Sequence, residues 1–344
     1  MRPSNWLTRV VDKAINITQN QNTNKLCLRV SDKQEKLMSE IKPEQSLASP
    51  RWSVRRRLEF IEFRLFWSGR LNRSDLTDMF GISAPQGSSD IKDYERLAPE
   101  NIVYDATLKA FVRTPAFSPI FIGAFTDHYL LQIVAIAGGW MRMEDTWFDA
   151  MPRVEVATLK RQPTDTAILL SVLAAIKERK EIDISYLSLT GSSSEARTIA
   201  PHAFAYAGGK WYVRSWAREH NDFRDYVLGR IVAVADERPC PIDPALDFEW
   251  AHMINLEVIP NEALPAERRE AIAREYRMVD HKLLVPCRLS LSFYLMSELN
   301  LDVAPGVLSP FKQQLQLTNR VEVEQSRSVA RELTNQALRR GPAA

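Results

Sequence analysis

Cysteine is scarce in this chain: 344 residues hold three, Cys27, Cys240 and Cys287, far apart and in no CxxC pair. That spacing supplies neither a zinc ligand set nor a disulfide framework, and it suits a reducing cytoplasm. The five histidines, His128, His202, His220, His252 and His281, fall in no metal-ligand spacing, so no metal site is expected. Long apolar runs are absent too, and none approaches the roughly 20 residues that cross a bilayer. The first 25 residues start basic but lack an apolar core and a small-residue cleavage site, so a secretory signal is not expected. Nor does one sign of charge dominate. The net charge of +2 neither requires nor forbids nucleic acid, because a local patch can bind DNA while other domains carry compensating acid.

Catalytic signatures are missing as well. The run Ser192–Ser194 follows Gly191 and reads as a loop, with no GxSxG elbow around it. Gly208-Gly209-Lys210 lacks the GxxxxGKS or GxxxxGKT frame of a phosphate loop and reads as a hairpin turn. No catalytic residue, cofactor or metal ligand is assigned, and the chain is expected not to be an enzyme. No internal repeat is visible.

What is present is enough length for two or three domains, with abrupt changes of character along it. Residues 1–50 are polar, with one weakly amphipathic stretch at 6–17, and read as a loosely ordered extension. From Ser53 a helix is expected, with Leu58, Ile61, Phe63, Leu65 and Phe66 on its apolar face, Arg55, Arg56 and Arg57 at its start and Gly69 at its end. Asn72 or Ser74 then caps a short helix that buries Leu76 and Met79-Phe80, and Gly81 turns the chain. Ser83 caps a second helix with Pro85 in its first turn and Ile91, Tyr94 and Leu97 inside. IVYDATLKAFV, after Pro99, alternates like a hairpin with its turn near 105–107. Two short helices and a hairpin make a winged helix-turn-helix over 51–115. Short helix pairs also occur away from DNA; the hairpin and the arginine cluster favour DNA here. On that reading Gln86 can pair with adenine, and Ser83, Ser88 and Ser89 sit at the same helix start. Arg73, Lys92 and Lys109 would hold phosphates.

Two apolar runs, 120–137 and 165–179, read as connecting helices separated by a break at Met151-Pro152-Arg153, with 116–164 as a helical linker. A β-rich unit follows over 165–240, opened by the alternating Ile182, Ile184 and Tyr186. Its centre, RTIAPHAFAYAGGKWYVRSWAREHNDFRDYVLGRI, interleaves cations with aromatics along strands. Guanidinium forks suit phosphate and rings suit bases, which points to an anionic, π-bearing ligand. The candidate set is Tyr186, Arg197, His202, Lys210, Trp211, Arg214, Arg224 and Arg230. The bland alternative is a solvated sheet face with Trp211 and Tyr212 in the core, and His202 is open to either role. Trp211 and Val213 share one face and Tyr212 and Arg214 the other, so Tyr212 and Arg214 are not both expected in the core. Glu195, Asp222 and Asp225 are the acids nearby in sequence, too few to neutralise the set. After a stiff segment at 239–244, residues 241–344 read as a small α+β module: LEVIP, a helix at 267–276, the strand-like LLVPCRLSL, and a last polar helix near 324–338 available to cross to a partner subunit.

Trp211-Tyr212-Val213 resembles the Trp-Tyr-Leu run that gives the WYL family of bacterial regulators its name. PHAF at 201–204, FRDYVLGRI at 223–231, LEFIEFRLFWSGRLNRSDL and ISAPQGSSD are similar to one branch of it, the BrxR/CapW-like repressors that sit beside anti-phage defence operons. The chain departs from the wider family at Val227 and Gly229, where Arg and Asp are common. The resemblance implies an α+β multidomain protein: an N-terminal winged helix-turn-helix, an Sm-like β-rich WYL domain and a small α+β C-terminal module of the WCX kind that supports dimerisation. It further implies a cytoplasmic, nucleoid-associated homodimer that represses a phage-defence operon such as BREX or CBASS. Such a dimer would bind an inverted-repeat operator in double-stranded DNA, sense a nucleotide or single-stranded nucleic acid, and have no membrane partner. The competing reading is an accessory protein whose WYL surface engages single strands without any operator.

Overall fold

A computed structural model of the chain describes residues 52–123, 126–157, 159, 163–189 and 194–340. The polar extension over 1–50, Cys27, Gly191 and Ser192 lie outside the described residues. The chain divides into two compact units, Met1–Leu159 and Lys160–Ala344.

In the first unit, α1 (Trp52–Ser68) ends at Gly69, whose φ of +75° suits a residue without a Cβ. A two-residue strand, β1 (Arg70–Leu71), leads into α2 (Arg73–Phe80). Of the two candidate caps it is Asn72 that starts α2, its N–H donating to the Asp75 carboxylate at 2.7 Å. Gly81, at φ +61°, closes the helix. In α3 (Ala84–Leu97) Ser83 Oγ accepts from Gln86 N–H, and Pro85 occupies the first turn. The hairpin β2 (Ile102–Asp105) and β3 (Ala110–Arg113) completes an antiparallel sheet ordered β1-β3-β2. Its turn is built by Asp105, whose Oδ1 accepts from the N–H groups of Thr107 and Leu108. The core joins Leu58, Phe60, Ile61 and Leu65 of α1 to Leu71, Leu76, Ile91, Tyr94 and Ile102.

Several expectations change here. Phe60 takes the core place, while Phe63 and Phe66 are only half-buried and pack on a flank with Trp147, Phe148 and Phe117. Leu76 and Phe80, four residues apart, share the inner stripe of α2, and Met79 is left exposed. The arginines in the first turns of α1 do not form a free cluster. Arg57 is buried in a bidentate pair with Asp90 (2.7 and 3.1 Å), and Arg55 and Arg56 pair with Glu59. The run from Ile120 is not helical at its start. The N–H groups of Ile120, Phe121 and Ile122 all donate to the buried Glu62 carboxylate at 2.6–2.7 Å instead of entering a helical ladder, and α4 spans Thr126–Ala137.

In the second unit α5 (Thr166–Glu178) is capped by Asp165 and is no mere connector: it packs Val172 and Ala175 onto the sheet. That sheet contains β4 (Lys180–Leu187), β5 (Ser194–Ala207), β6 (Lys210–Ala217), β7 (Asp222–Val227) and β8 (Ile231–Pro239). It is antiparallel and ordered β7-β6-β5-β4-β8, with register shifts near Pro201 and along β8. Gly208 and Gly209, at φ +54° and +69°, form the two-residue turn between β5 and β6. The C-terminal part adds α6 (Phe248–Ala251), β9 (Met253–Pro260), α7 (Ala266–Glu275) and β10 (Leu283–Arg288). It closes with α8 (Leu289–Glu298), β11 (Leu315–Leu317) and α9 (Arg320–Arg340), around a sheet ordered β10-β9-β11. LLVPCRLSL therefore changes from strand to helix at Leu289. The last helix docks on its own chain, burying Val323, Ala330 and Leu338, with Thr334 Oγ donating to the Leu246 carbonyl.

The two faces of the five-stranded sheet are both covered. Ile182, Ile184, Ile199, Val213 and Tyr226 meet α5. On the other face Tyr212 meets Tyr294 of α8 at 4.6 Å between rings, and Arg214 is 4% exposed. Tyr212 and Arg214 are thus buried together, against expectation, because the C-terminal module supplies the partners. Arg214 donates to Asp247 through Nε (2.7 Å) and Nη2 (2.9 Å), and its guanidinium also faces Glu249 (3.4 Å) and Asp225 (3.5 Å). His202 lies 3.0 Å from the same Asp247. Burial pushes the Asp247 carboxyl up, but hydrogen bonds from Arg214 and His202 outweigh it and hold it below the usual carboxylate range.

Replacing Arg214 with Ala is expected to destabilise the protein by about 3–5 kcal/mol, since buried carboxylates would be left unpaired. Urea unfolding measures this; a loss under about 1 kcal/mol, the size of a surface pair, would show the cluster to be dispensable. The depressed Asp247 contributes stability that is present above the unfolded carboxylate value of about 4 and is lost as pH falls through the lower folded value. The acid side of the thermal-stability profile is therefore expected to be shallower in Asp247→Asn than in the parent protein.

Candidate nucleic-acid interface and effector surface

The first unit presents α3 as its second helix after a tight turn, held at a fixed depth. Gly87 is buried, and a Cβ there would sit 3.3 Å from Arg73 Cγ, so glycine leaves room for an approach of α2 and α3 that a larger residue would have only by shifting that side chain. Below it, Arg57 grips Asp90, and Tyr94 donates to Glu62 at 3.1 Å. Burial, followed by the neighbouring Glu62 charge, pushes the Tyr94 phenol well above its ordinary range, so it remains a donor.

The outer side of this frame carries the DNA-contact candidates. Arg73, Ser88, Lys92 and Lys109 line one groove of about 650 Å³ between α2, α3 and the hairpin, together with Ser74, Thr77, Tyr104 and Phe111. Arg73 Nη1 reaches Ser88 Oγ at 3.3 Å, so these two already act together. Gln86 and Ser89 are exposed at the first turns of α3 and do not line the groove. Gln86 Nε2 donates to Asp90 Oδ1 at 3.0 Å, which leaves its carbonyl oxygen outward-capable but costs the amide's freedom. Ser83 caps α3 with its hydroxyl. Lys109 stands in the hairpin turn at φ +51°.

The ligand candidates of the second unit do not gather in one place. Cross-strand register puts Tyr186, Arg197, Trp211 and Arg224 on the α5 face of the sheet and His202 and Arg214 toward the C-terminal module. Tyr186, Arg197 and Arg224 of the first group lie around Tyr226. Tyr186 meets Tyr226 edge-on at 5.1 Å and accepts from Val227 N–H. Burial, then the Glu219 charge, pushes the Tyr226 phenol up to about 12, while Arg197 and Arg224 pull the other way. Trp211 and Tyr206, both about half exposed, form a pair 5.0 Å apart at the hairpin end. Lys210 begins β6, and Arg230 ends the short turn between β7 and β8.

Charge counting from sequence proximity does not survive the fold. Asp247 and Glu249 neutralise Arg214 from 33 and 35 residues away, Glu195 pairs with Arg197, and Glu181 takes both Arg218 and Arg238. Hydrogen bonds from Arg238 and Thr198 hold the Asp183 carboxyl down at about 2. Asp247, Glu249, Arg327 and Arg331 had no local motif to mark them; a carboxylate at an isolated helix cap was their only trace in the sequence. Among the described residues, no group of three His, Cys, Asp or Glu is placed to hold a metal ion, and no helix is long and apolar enough to cross a membrane.

Comparison with known proteins gives three family matches. Residues 53–135 match the BrxR transcriptional regulator winged helix-turn-helix domain, 167–235 the WYL domain, and 253–323 the BrxR transcriptional regulator C-terminal dimerization domain. The DNA-binding transcriptional repressor CapW of Escherichia coli strain KTE188 is 33% identical over 280 residues, 79% of this chain and 91% of that protein. CapW of Pseudomonas aeruginosa is 34% identical over 284 residues, 80% and 92% of the two chains. A solved structure of proteasome accessory factor B/C of Arthrobacter aurescens aligns over 88% of this chain and 52% of its own, at 14% identity and a TM-score of 0.21. This chain spans about half of that protein, and so loose a superposition says nothing further of the fold.

Gln86→Ala is expected to reduce discrimination between specific and random duplexes by about 1–3 kcal/mol. Lys92→Ala is expected to weaken both alike and flatten the salt dependence. Competition binding over a salt series separates the two; equal losses on both DNAs for Gln86→Ala would move the base-reading face elsewhere.

Proposed function

We propose, from the premise that this chain belongs to the CapW family of DNA-binding transcriptional repressors, that it represses its target genes as a homodimer on an inverted repeat and releases them when a nucleotide or single-stranded nucleic acid binds the second unit. One observation carries the DNA half: the groove in which Arg73, Ser88, Lys92 and Lys109 stand beside the exposed first turns of α3. In this scheme Gln86, Ser88 and Ser89 read base edges, and Arg73, Lys92 and Lys109 hold phosphates. Ser83 orients the helix through its cap.

Dimerisation is assigned to the C-terminal module, on its likeness to the BrxR dimerization domain. Two-fold symmetry of the protein is then mirrored by two-fold symmetry of the operator. The domain plan in this reading is a polar extension to residue 50, the winged helix-turn-helix over 51–115, a linker over 116–164, the WYL sensor over 165–240 and the dimerisation module to the end. The effector half is supported by the arginines and rings that the β-sheet unit leaves accessible, Arg197, Arg224, Tyr206 and Trp211 among them. Its mechanism is linkage: a ligand that binds one arrangement of the dimer better than the other changes operator affinity by that difference. This reading puts the regulated genes in a phage-defence locus and the protein in the cytoplasm on the nucleoid, and the likeness to CapW and BrxR regulators supports it.

Footprinting of the purified protein on its own promoter region is expected to protect two half-sites related by a dyad, with one dimer bound. Half-site centres are expected about one helical turn, roughly 34–36 Å, or a multiple of it apart. A monomer on a single asymmetric site, or retention by single strands with no duplex preference, would overturn the reading.

A further inference from the structure

A cavity of the sheet unit, about 550 Å³, opens between β7, α6, α8 and α9. Four arginines line it, Arg214, Arg327, Arg331 and, from the edge strand β7, Arg224, whose register is that of the α5 face, against three acids, Asp222, Asp225 and Glu249. Glu249 is shared among Arg214, Arg327 and Arg331, at 3.4, 3.6 and 3.0 Å, and Asp222 lies 4.0 Å from Arg224. Asp247, which holds Arg214 from behind, brings the acids to four, so what the cleft offers an anion is cations still partly in solvent. Arg224 and Arg331 remain about half exposed, and Phe293 offers an exposed ring beside them.

The walls are also short of hydrogen-bond partners. Six buried side-chain atoms among the described residues have none, and three of them, Asp225 Oδ1, Ser290 Oγ and Arg327 Nε, belong to residues of this one cleft. Arg327 Nε still faces Glu249 at 3.6 Å; buried polar atoms without partners are rare in folded proteins, so Asp225 Oδ1 and Ser290 Oγ mark a place where something else completes the bonding. The cleft offers an acceptor, a hydroxyl and a guanidinium, with an aromatic ring and two half-exposed cations at its rim. Ser290 also lies in the first turn of α8, whose N-terminus has no side-chain cap.

We propose that this cleft is the effector site, and that it binds a nucleotide with its phosphates on Arg224, Arg327 and Arg331, its base against Phe293, and the base edge on Asp225 and Ser290. The assignment rests on the effector reading given above and adds its location. Because the cleft is walled by β7 on one side and by α8 and α9 on the other, an occupant touches both the sensor sheet and the C-terminal module. That is the contact a ligand needs if it is to bias the geometry of the dimer.

The test is isothermal titration of the full-length protein with GMP, GDP, a 5′-phosphorylated thymidine dinucleotide and inorganic pyrophosphate. Three variants accompany the parent: Arg331→Ala, Phe293→Ala and, on the opposite side of the sheet, Arg197→Ala. At least one nucleotide is expected to bind the parent protein, with an affinity reduced about tenfold or more by Arg331→Ala, the scale of a lost charge-assisted contact. Phe293→Ala is expected to weaken the nucleotide while sparing pyrophosphate, and Arg197→Ala to change neither. Both cleft side chains are exposed, and thermal melts of the variants matching the parent confirm that they fold. Nucleotide binding insensitive to Arg331→Ala and Phe293→Ala but lost in Arg197→Ala overturns the cleft and leaves the effector reading standing. No binding of any probe by the parent protein overturns both.

Discussion

The second unit depends on one buried ionic knot, Arg214 with Asp247, Glu249 and Asp225. A guanidinium and three carboxylates taken out of water are tolerable only when each finds its partners, and here the partners come from different parts of the chain: β6, β7 and the segment that leads into α6. Removing any one strands the others in a low-dielectric interior. The knot thereby fixes where the C-terminal module lies on the sheet. Tyr294 then stacks near Tyr212 and donates to Asp225, α9 lays Arg331 onto Glu249, and His202 closes on Asp247. A sheet that would otherwise have one wet face becomes a layer between α5 and the C-terminal helices.

The first unit solves its positioning problem in the same currency. Glu62 and Asp90 are buried carboxylates, and each is satisfied by groups distant in sequence: Tyr94 and three consecutive backbone N–H groups for Glu62, Arg57 and Gln86 for Asp90. Apolar packing alone is non-directional and would let α3 rotate over neighbouring side chains. Directed bonds to two carboxylates set its angle, and with it the outward row of Gln86, Ser88, Ser89 and Lys92. Arg57, in the helix ahead of α2 and α3, thus orients α3 from inside the domain.

The cleft proposed as the effector site lies against both the five-stranded sheet and the C-terminal module. Operator affinity depends on how two DNA-reading units are spaced, and a ligand alters that spacing only through differential contacts with the elements that set it. The arginines that face the cleft belong to β6, β7 and α9, so charge brought in by an occupant acts on sheet and helix together.

Much of this was legible in the residues. Glycines at 69, 81, 208 and 209 marked turns that demand positive φ, Ser83 and Asp165 marked helix starts, and the period-two pattern of Ile182, Ile184 and Tyr186 marked a strand. Such signals are local: each is a preference of a few residues for one backbone conformation, so the sequence by itself determined element order, the winged helix-turn-helix and the hairpin around Trp211. Other features depend on what arrives from far along the chain. Met79 is exposed, Arg57 is buried, the backbone of 120–122 bends around the Glu62 carboxylate, and the eight residues proposed as one pocket are divided between two faces and two turns. Tertiary structure alone decided these, because the carboxylates that neutralise Arg214 lie more than thirty residues away and are brought to it only when the C-terminal module closes over the sheet.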